Sequence, residues 1–220
     1  MQAYYAARAP EYDRIYQKPE RQADLRNIEA WLPPHFAGKK LLEVACGTGY
    51  WTQFIAPVAH SILAMDAAPQ TMEIAENRVD GSNVQFVAGD AYALQATAAQ
   101  AVPAGARPFD AAFAGFWYSH VPKAHQQAFL QGLCAVLQPG STVVLLDNRF
   151  VGSSSSPISQ TDADGNTYQE RPLDDGSTHQ VLKNFPTKAE LLHSVADLGQ
   201  HAQVMLWPYY WALKFETVAQ

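Results

Sequence analysis

Lys40-Leu41-Leu42-Glu43-Val44-Ala45-Cys46-Gly47-Thr48-Gly49 is a short apolar run that ends in a glycine-containing turn. Its composition and length read as a strand, and the turn that follows must be tight. Neither Gly47 nor Gly49 has a Cβ, so the backbone can turn sharply and come close to a ligand. A helix through roughly Ala59 is expected next. The same unit then recurs: strand Ser61 to Met65 ending at Asp66, helix Pro69 to Arg78, strand Asn83 to Val87 ending at Gly89-Asp90. A helix over Tyr92 to Gln100 and a loop over Val102 to Pro108 lead to strand Asp110 to Phe116. Helix Lys123 to Leu137, closed by Pro139-Gly140, precedes strand Thr142 to Leu146, which ends at Asp147-Asn148. Strands alternating with helices imply an α/β, doubly wound parallel sheet covered on both faces.

Upstream, Leu25, Ile28 and Leu32 share one face of a helix over Pro19 to Leu32, stopped by Pro33-Pro34. Tyr4, Tyr5, Tyr12, Ile15 and Tyr16 suggest one or two short helices with an aromatic face. Downstream, Phe150 to Phe185 is polar. Asp174-Asp175-Gly176-Ser177 between Thr167–Leu173 and Thr178–Lys183 is a hairpin signal. A helix over Lys188 to Leu198 and strands Val204–Trp207 and Tyr210–Phe215 follow, the strands as an antiparallel edge pair. The chain therefore divides into residues 1–34, a helical lid; 38–150, a binding core; 151–185, an insertion; and 186–220, a helix with the strand pair, all in one domain.

The chain has 220 residues, 48% hydrophobic and 16% charged, with a net charge of -6. It has apolar surface enough for a core and no basic stripe for a phosphate backbone. No apolar run reaches the roughly 20 residues of a membrane span. Cys46 and Cys134 read as reduced packing positions, which points to the cytoplasm. His35, His60, His125, His193 and His201 have no ligand spacing, so no metal is expected. Asp162 to Asn166 reads as a turn, because its glycine and its position twelve do not fit a calcium loop.

In open parallel sheets, ligands bind beyond the carboxyl ends of the strands. Asp66, at the end of the second strand, can accept two hydrogen bonds from a ribose diol. A dinucleotide loop would want a third glycine where Thr52 stands. Glu43, just before the loop, would repel a pyrophosphate and favour an ammonium. Asp90-Ala91 closes the third strand, where a carboxylate can accept from an adenine amino group. These residues ask for a ligand with an ammonium group, a ribose diol and an adenine.

Leu42-Glu43-Val44-Ala45-Cys46-Gly47-Thr48-Gly49, Asp66, Gly89-Asp90-Ala91 and Phe109-Asp110-Ala111-Ala112-Phe113 together resemble the class I S-adenosylmethionine-dependent methyltransferases. The resemblance covers roughly residues 38 to 150, and Ala45 replaces that family's first loop glycine. It implies a Rossmann-like seven-stranded sheet with an antiparallel last strand, and S-adenosylmethionine as cofactor, released as S-adenosylhomocysteine. Glu43, Ala45, Gly47, Thr48 and Gly49 would hold the methionine end, Asp66-Ala67 the ribose, and Asp90 with Ala91 the adenine.

The acceptor would lie under the lid. Tyr12 and Tyr16 either line it or pack the lid onto the domain. Trp117 and Tyr118, in the aromatic run Phe116 to Tyr118, suggest an apolar or cationic acceptor. His120 is either the general base or a cap on the next helix. Arg149 either clamps an acidic substrate or pairs with Asp147. The insertion either covers the acceptor pocket or makes a homodimer contact. The expected reaction is methyl transfer to O, N or S of a small molecule, with no nucleic-acid or membrane partner. Aminopropyl transfer, nicotinamide-dependent oxidation and non-catalytic binding of S-adenosylmethionine are the alternatives.

Overall fold

Residues 9–101 and 108–219 are described by the computed structural model, so Tyr4, Tyr5 and most of the 102–108 loop lie outside the described residues. Five parallel strands carry the core: β1 Lys40–Val44, β2 Ser61–Asp66, β3 Val84–Ala88, β4 Phe109–Gly115 and β5 Leu137–Asn148. After them come β6 Gln160–Thr161, β7 Thr167–Pro172, β8 Thr178–Leu182, β9 Gly199–Leu206 and β10 Tyr210–Thr217. The main sheet runs β3-β2-β1-β4-β5-β10-β9, with β10 antiparallel to both β5 and β9. Strand order reverses between β1 and β4, which opens a crevice at their carboxyl ends.

Both faces of the parallel strands are covered, which is why Leu41-Leu42 and Ala111 to Ala114 are apolar without alternation. One face packs on α1 Gln22–Trp31 and α2 Thr52–Ile55 through Leu25, Ile28, Leu32 and Ile55. The other packs on α4 Leu94–Ala101, α5 Lys123–Ala135 and α6 Lys188–Ser194 through Leu94, Phe129, Leu133 and Leu191. Helix α3, Pro69–Arg78, follows β2, and Ala9–Tyr16 forms a 3-10 segment over the crevice side.

Several boundaries differ from the sequence expectation. Helix α2 is a single turn, because Pro57 lacks the N–H needed to continue it. Pro139-Gly140 does not close α5 but lies inside β5. The pairing jumps there from Phe109↔Leu137 to Ala111↔Thr142, and Gly140 takes φ +78°. The missing Pro139 N–H is harmless at such a bulge. Thr217 fastens it, accepting from Ser141 N at 3.0 Å and donating to Gln138 O at 2.8 Å. Helix α6 stops at Ser194, four residues early, where Val195 leaves helical geometry (φ -116°, ψ 7°) and a turn over 195–198 leads into β9 at Gly199. The expected hairpin β7–β8 gains a third strand, β6, that no sequence signal marked.

Lys183 and Asn184 dock this small sheet on the crevice. Lys183 Nζ lies 2.6 Å from Asp147 Oδ1 with both side chains buried, and Asn184 N donates to Ser119 O at 2.8 Å.

Candidate active site

A cavity of about 260 Å³ opens beyond the ends of β1 to β4, and Gly47, Asp66, Ala67, Asp90, Ala91 and Trp117 are among its walls. Cβ-poor residues make the room. Gly47 (φ +56°) and Ala45 (φ +55°) turn the loop after β1 through the left-handed region. Glycine does this freely, whereas Ala45 accepts a cost of roughly 1–2 kcal/mol. Gly49 also lies in the left-handed region (φ +72°) and serves packing as well: an added Cβ would stand 3.0 Å from Ala75 Cβ, so its bareness lets the loop pack on α3.

Asp66 is held in place by its own neighbours. Its Oδ2 accepts from Gly47 N at 2.8 Å, and its Oδ1 accepts from Ala68 N at 2.9 Å and Thr71 Oγ1 at 3.3 Å. Burial nonetheless raises its pKa, outweighing these hydrogen bonds. Asp90 is exposed, and its Oδ1 accepts from Tyr92 N at 2.9 Å. Tyr92 packs edge-on against Trp117, whose buried indole Nε1 has no hydrogen-bond partner among the described residues. No lysine or arginine among the described residues lines this cavity.

Glu43 does not reach the cavity. Its carboxyl lies beneath the loop, 1% exposed, and its Oε2 has no hydrogen-bond partner among the described residues. Burial pushes its pKa up to about 8; the nearby Thr52 hydroxyl opposes this, and the charge of Asp66 adds to it. Thr48 also points away from the cavity. Its Oγ1 donates to Asp13 Oδ1 at 2.6 Å, while Arg78 Nη1 donates to Thr48 O at 2.8 Å and Arg78 Nη2 closes the triangle on Asp13 Oδ2. This latch fixes the Ala9–Tyr16 segment and sets the Tyr12 ring over Gly47, 3.7 Å from where a Cβ would stand.

A second cavity, about 230 Å³, shares Tyr12, Phe116 and His120 with the first. Phe116 takes φ +57°, an unusual conformation for a bulky residue, with its N–H donating to Leu146 O at 2.7 Å. His120 Nδ1 lies 2.6 Å from Leu182 O and its Nε2 lies 3.5 Å from Lys183 Nζ. A carbonyl only accepts, so Nδ1 carries the ring hydrogen and Nε2 presents its lone pair towards the Lys183 ammonium. The expectation of an apolar or cationic acceptor does not fit this cavity, whose walls carry Arg14, Lys18, Arg21, Arg171 and Lys183. The sequence reading missed these residues. Arg14, Lys18 and Arg21 at spacings of four and three were a usable signal, whereas Arg171 and Lys183 arrive only through the fold of the insertion.

Four expected acceptor residues lie outside the second cavity, and of these Trp117 lines the first one instead. Tyr16 is buried and stacked on Tyr50, ring centroids 3.5 Å apart. Tyr118 is turned into the core against Phe129 and Trp211, because the Tyr118–His120 turn reverses its direction. Arg149 neither pairs with Asp147 nor lines either of these two cavities. Lys183 already occupies that carboxylate, and Arg149 Nη1 donates to Trp207 O at 2.7 Å.

Residues 41–140 match the family model of a methyltransferase domain. The chain is 30% identical over 117 residues to demethylmenaquinone methyltransferase of Shouchella clausii, covering 50% of this chain and 46% of that protein. It is 29% identical over 132 residues to ubiquinone biosynthesis O-methyltransferase of Cereibacter sphaeroides, covering 60% and 49%. The chain thus spans about half the length of the curated relatives it matches. Among solved structures, the DhpI-SAH complex superposes with a TM-score of 0.77 at 25% identity, covering 100% of this chain and 96% of that one.

Proposed function

We propose that this chain, a member of the class I S-adenosylmethionine-dependent methyltransferases, moves the methyl group of S-adenosylmethionine to an O, N or S atom of a small molecule. The observation that carries this reading is the pairing of the two cavities. The first offers Asp66 and Asp90 with an apolar wall and no cation among its described residues, which suits an uncharged nucleoside and not a pyrophosphate. The second adjoins it across Tyr12, Phe116 and His120, where a methyl acceptor can be aligned.

When bound, S-adenosylmethionine supplies a methyl group on a positively charged sulfur. Asp66 would take the ribose diol, and Asp90, Ala91 and Trp117 would frame the adenine. Of Glu43 and Asp66, Asp66 lines the cavity and favours a cation near it, whereas the buried Glu43 keeps its proton and lies beneath the loop. The Tyr12 segment excludes water from above. A polyamine acceptor, as in aminopropyl transfer, would ask for acids where the second cavity has cations. Cys46 and Cys134 are buried free thiols, which supports action in the cytoplasm.

Methyl-labelled S-adenosylmethionine, incubated with the protein and pooled small acids, phenols, thiols and amines, should yield a labelled product together with S-adenosylhomocysteine. Asp66→Ala should weaken S-adenosylhomocysteine binding by roughly 1.5–3 kcal/mol, the scale of hydrogen bonds to a charged group. Absence of label in every acceptor class would overturn the reading.

A further inference from the structure

The second cavity is unusual in a chain of net charge -6. Five cationic side chains line it, against Glu11 as the one acidic lining residue among those described. Two of the five have acidic partners: Arg14 with Asp174 at 2.6 Å, and Lys183 with Asp147 at 2.6 Å. Glu20 stands at the rim, accepting from Ser154 Oγ at 2.6 Å. Lys18, Arg21 and Arg171 make no salt bridge among the described residues.

These three cations are held in place by neutral groups. Arg21 is 6% exposed; its Nε donates to Ser154 Oγ at 2.9 Å and its Nη1 to Asn148 Oδ1 at 2.7 Å. Its guanidinium also lies 5.4 Å from the Tyr209 ring centroid. Lys18 Nζ donates to Ser154 O at 2.6 Å, and Arg171 Nη2 to Gln169 Oε1 at 2.8 Å. Arg21 and Arg171 also disfavour the charge of Lys18. The Lys18 ammonium is pulled below its ordinary pKa by burial first, then by Arg21 and, more weakly, Arg171, with Glu20 opposing. Like charges gathered in one partly buried hollow are costly unless an anion joins them. Fixed donors gathered around one point are the arrangement that recognises carboxylate or phosphate oxygens.

We infer that the methyl acceptor is a small organic acid, bound by its oxyanion among Lys18, Arg21 and Arg171 and methylated on an oxyanion oxygen; this rests on the methyltransferase reading above. The acceptor oxygen's lone pair forms the new O–C bond while the C–S bond breaks and its electron pair goes to sulfur, giving a methyl ester and a neutral thioether. No proton is transferred, so the step asks for no general base. This accords with His120, whose Nε2 faces an ammonium. The ester carries one negative charge fewer than the acid, so the cations hold product more weakly than substrate.

The test is a calorimetric titration of the full chain, saturated with S-adenosylhomocysteine, with inorganic phosphate and separately with benzoate. At least one oxyanion should bind, and Arg171→Gln and Lys18→Met should each weaken it about tenfold or more while S-adenosylhomocysteine binds as before. Tighter phosphate would make the acceptor a phosphorus oxyacid, and tighter benzoate a carboxylic acid; both outcomes support the inference. Binding of neither oxyanion, or binding indifferent to both substitutions, would overturn it and leave methyl transfer standing. Failure of S-adenosylhomocysteine to bind the unsubstituted chain would remove the methyltransferase reading, and this inference with it.

Discussion

Glu43 destabilises the ligand-free protein at neutral pH. Its folded carboxyl keeps its proton up to about 8, against an ordinary 4.5, because burial disfavours the charge. Below pH 4.5 both folded and unfolded states hold the proton, and there is no penalty. As pH rises from there towards 8, only the unfolded state releases it, so stability falls. The loss is about 3 kcal/mol at pH 7, at 1.36 kcal/mol per unit. Asp66, also raised by burial, contributes with the same sign. Glu43→Gln removes the first penalty. It should therefore unfold at higher denaturant than the parent at pH 7 and at nearly the same concentration at pH 4. A Gln variant less stable than the parent at pH 7 would mean that the carboxyl is ionised and compensated in the fold. Sequence reading located Glu43 by its place before the loop, but it could not see that the side chain points under the loop. That direction follows from strand register, since Glu43 pairs with Ala64 and Phe113 on either side in the sheet centre.

Between elements, the latch of Asp13, Thr48 and Arg78 joins three pieces: the 3-10 segment, the loop after β1 and the carboxyl end of α3. The Arg78 and Asp13 side chains are 21% and 29% exposed, so their interaction is partly screened and worth more to position than to global stability. Asp13→Ala should weaken S-adenosylhomocysteine binding by about 1–2 kcal/mol, the scale of a hydrogen bond to a charged group reduced by partial exposure, and barely move the melting temperature. Equal loss of binding and of melting temperature would make the latch a plain stabilising contact. Element types were legible wherever periodicity was strong: α3 runs over the expected Pro69–Arg78, and β2 over Ser61–Asp66. Proline was misjudged in two opposite ways. Pro57 ended α2 early, whereas Pro139 was absorbed in a bulge, because a strand needs every second N–H and a helix needs all of them.

Across the whole molecule, the alternation of strands and helices was enough to imply a doubly wound sheet, the terminal residues already read as an antiparallel edge pair, and resemblance added that the last strand, now seen as β10 beside β5, closes a seven-stranded sheet antiparallel. The crevice was legible because it lies at strand ends, each close in sequence to a glycine or aspartate. The second cavity was not. Its cations come from residues 14 to 21, from 171 and from 183, and the docking of the β6–β8 sheet through Lys183 and Asn184 brings them together. No helix among the described residues is long and apolar enough to cross a membrane, and no group of three or more His, Cys, Asp or Glu among them could hold a metal ion. The first cavity is a nucleoside site that needs no phosphate, and calorimetric titration with S-adenosylhomocysteine, with NAD as the control, distinguishes it from a dinucleotide site. Micromolar binding of S-adenosylhomocysteine with no heat from NAD is the predicted result. Binding of NAD, or no binding of S-adenosylhomocysteine, would show that the cavity is not an S-adenosylmethionine site.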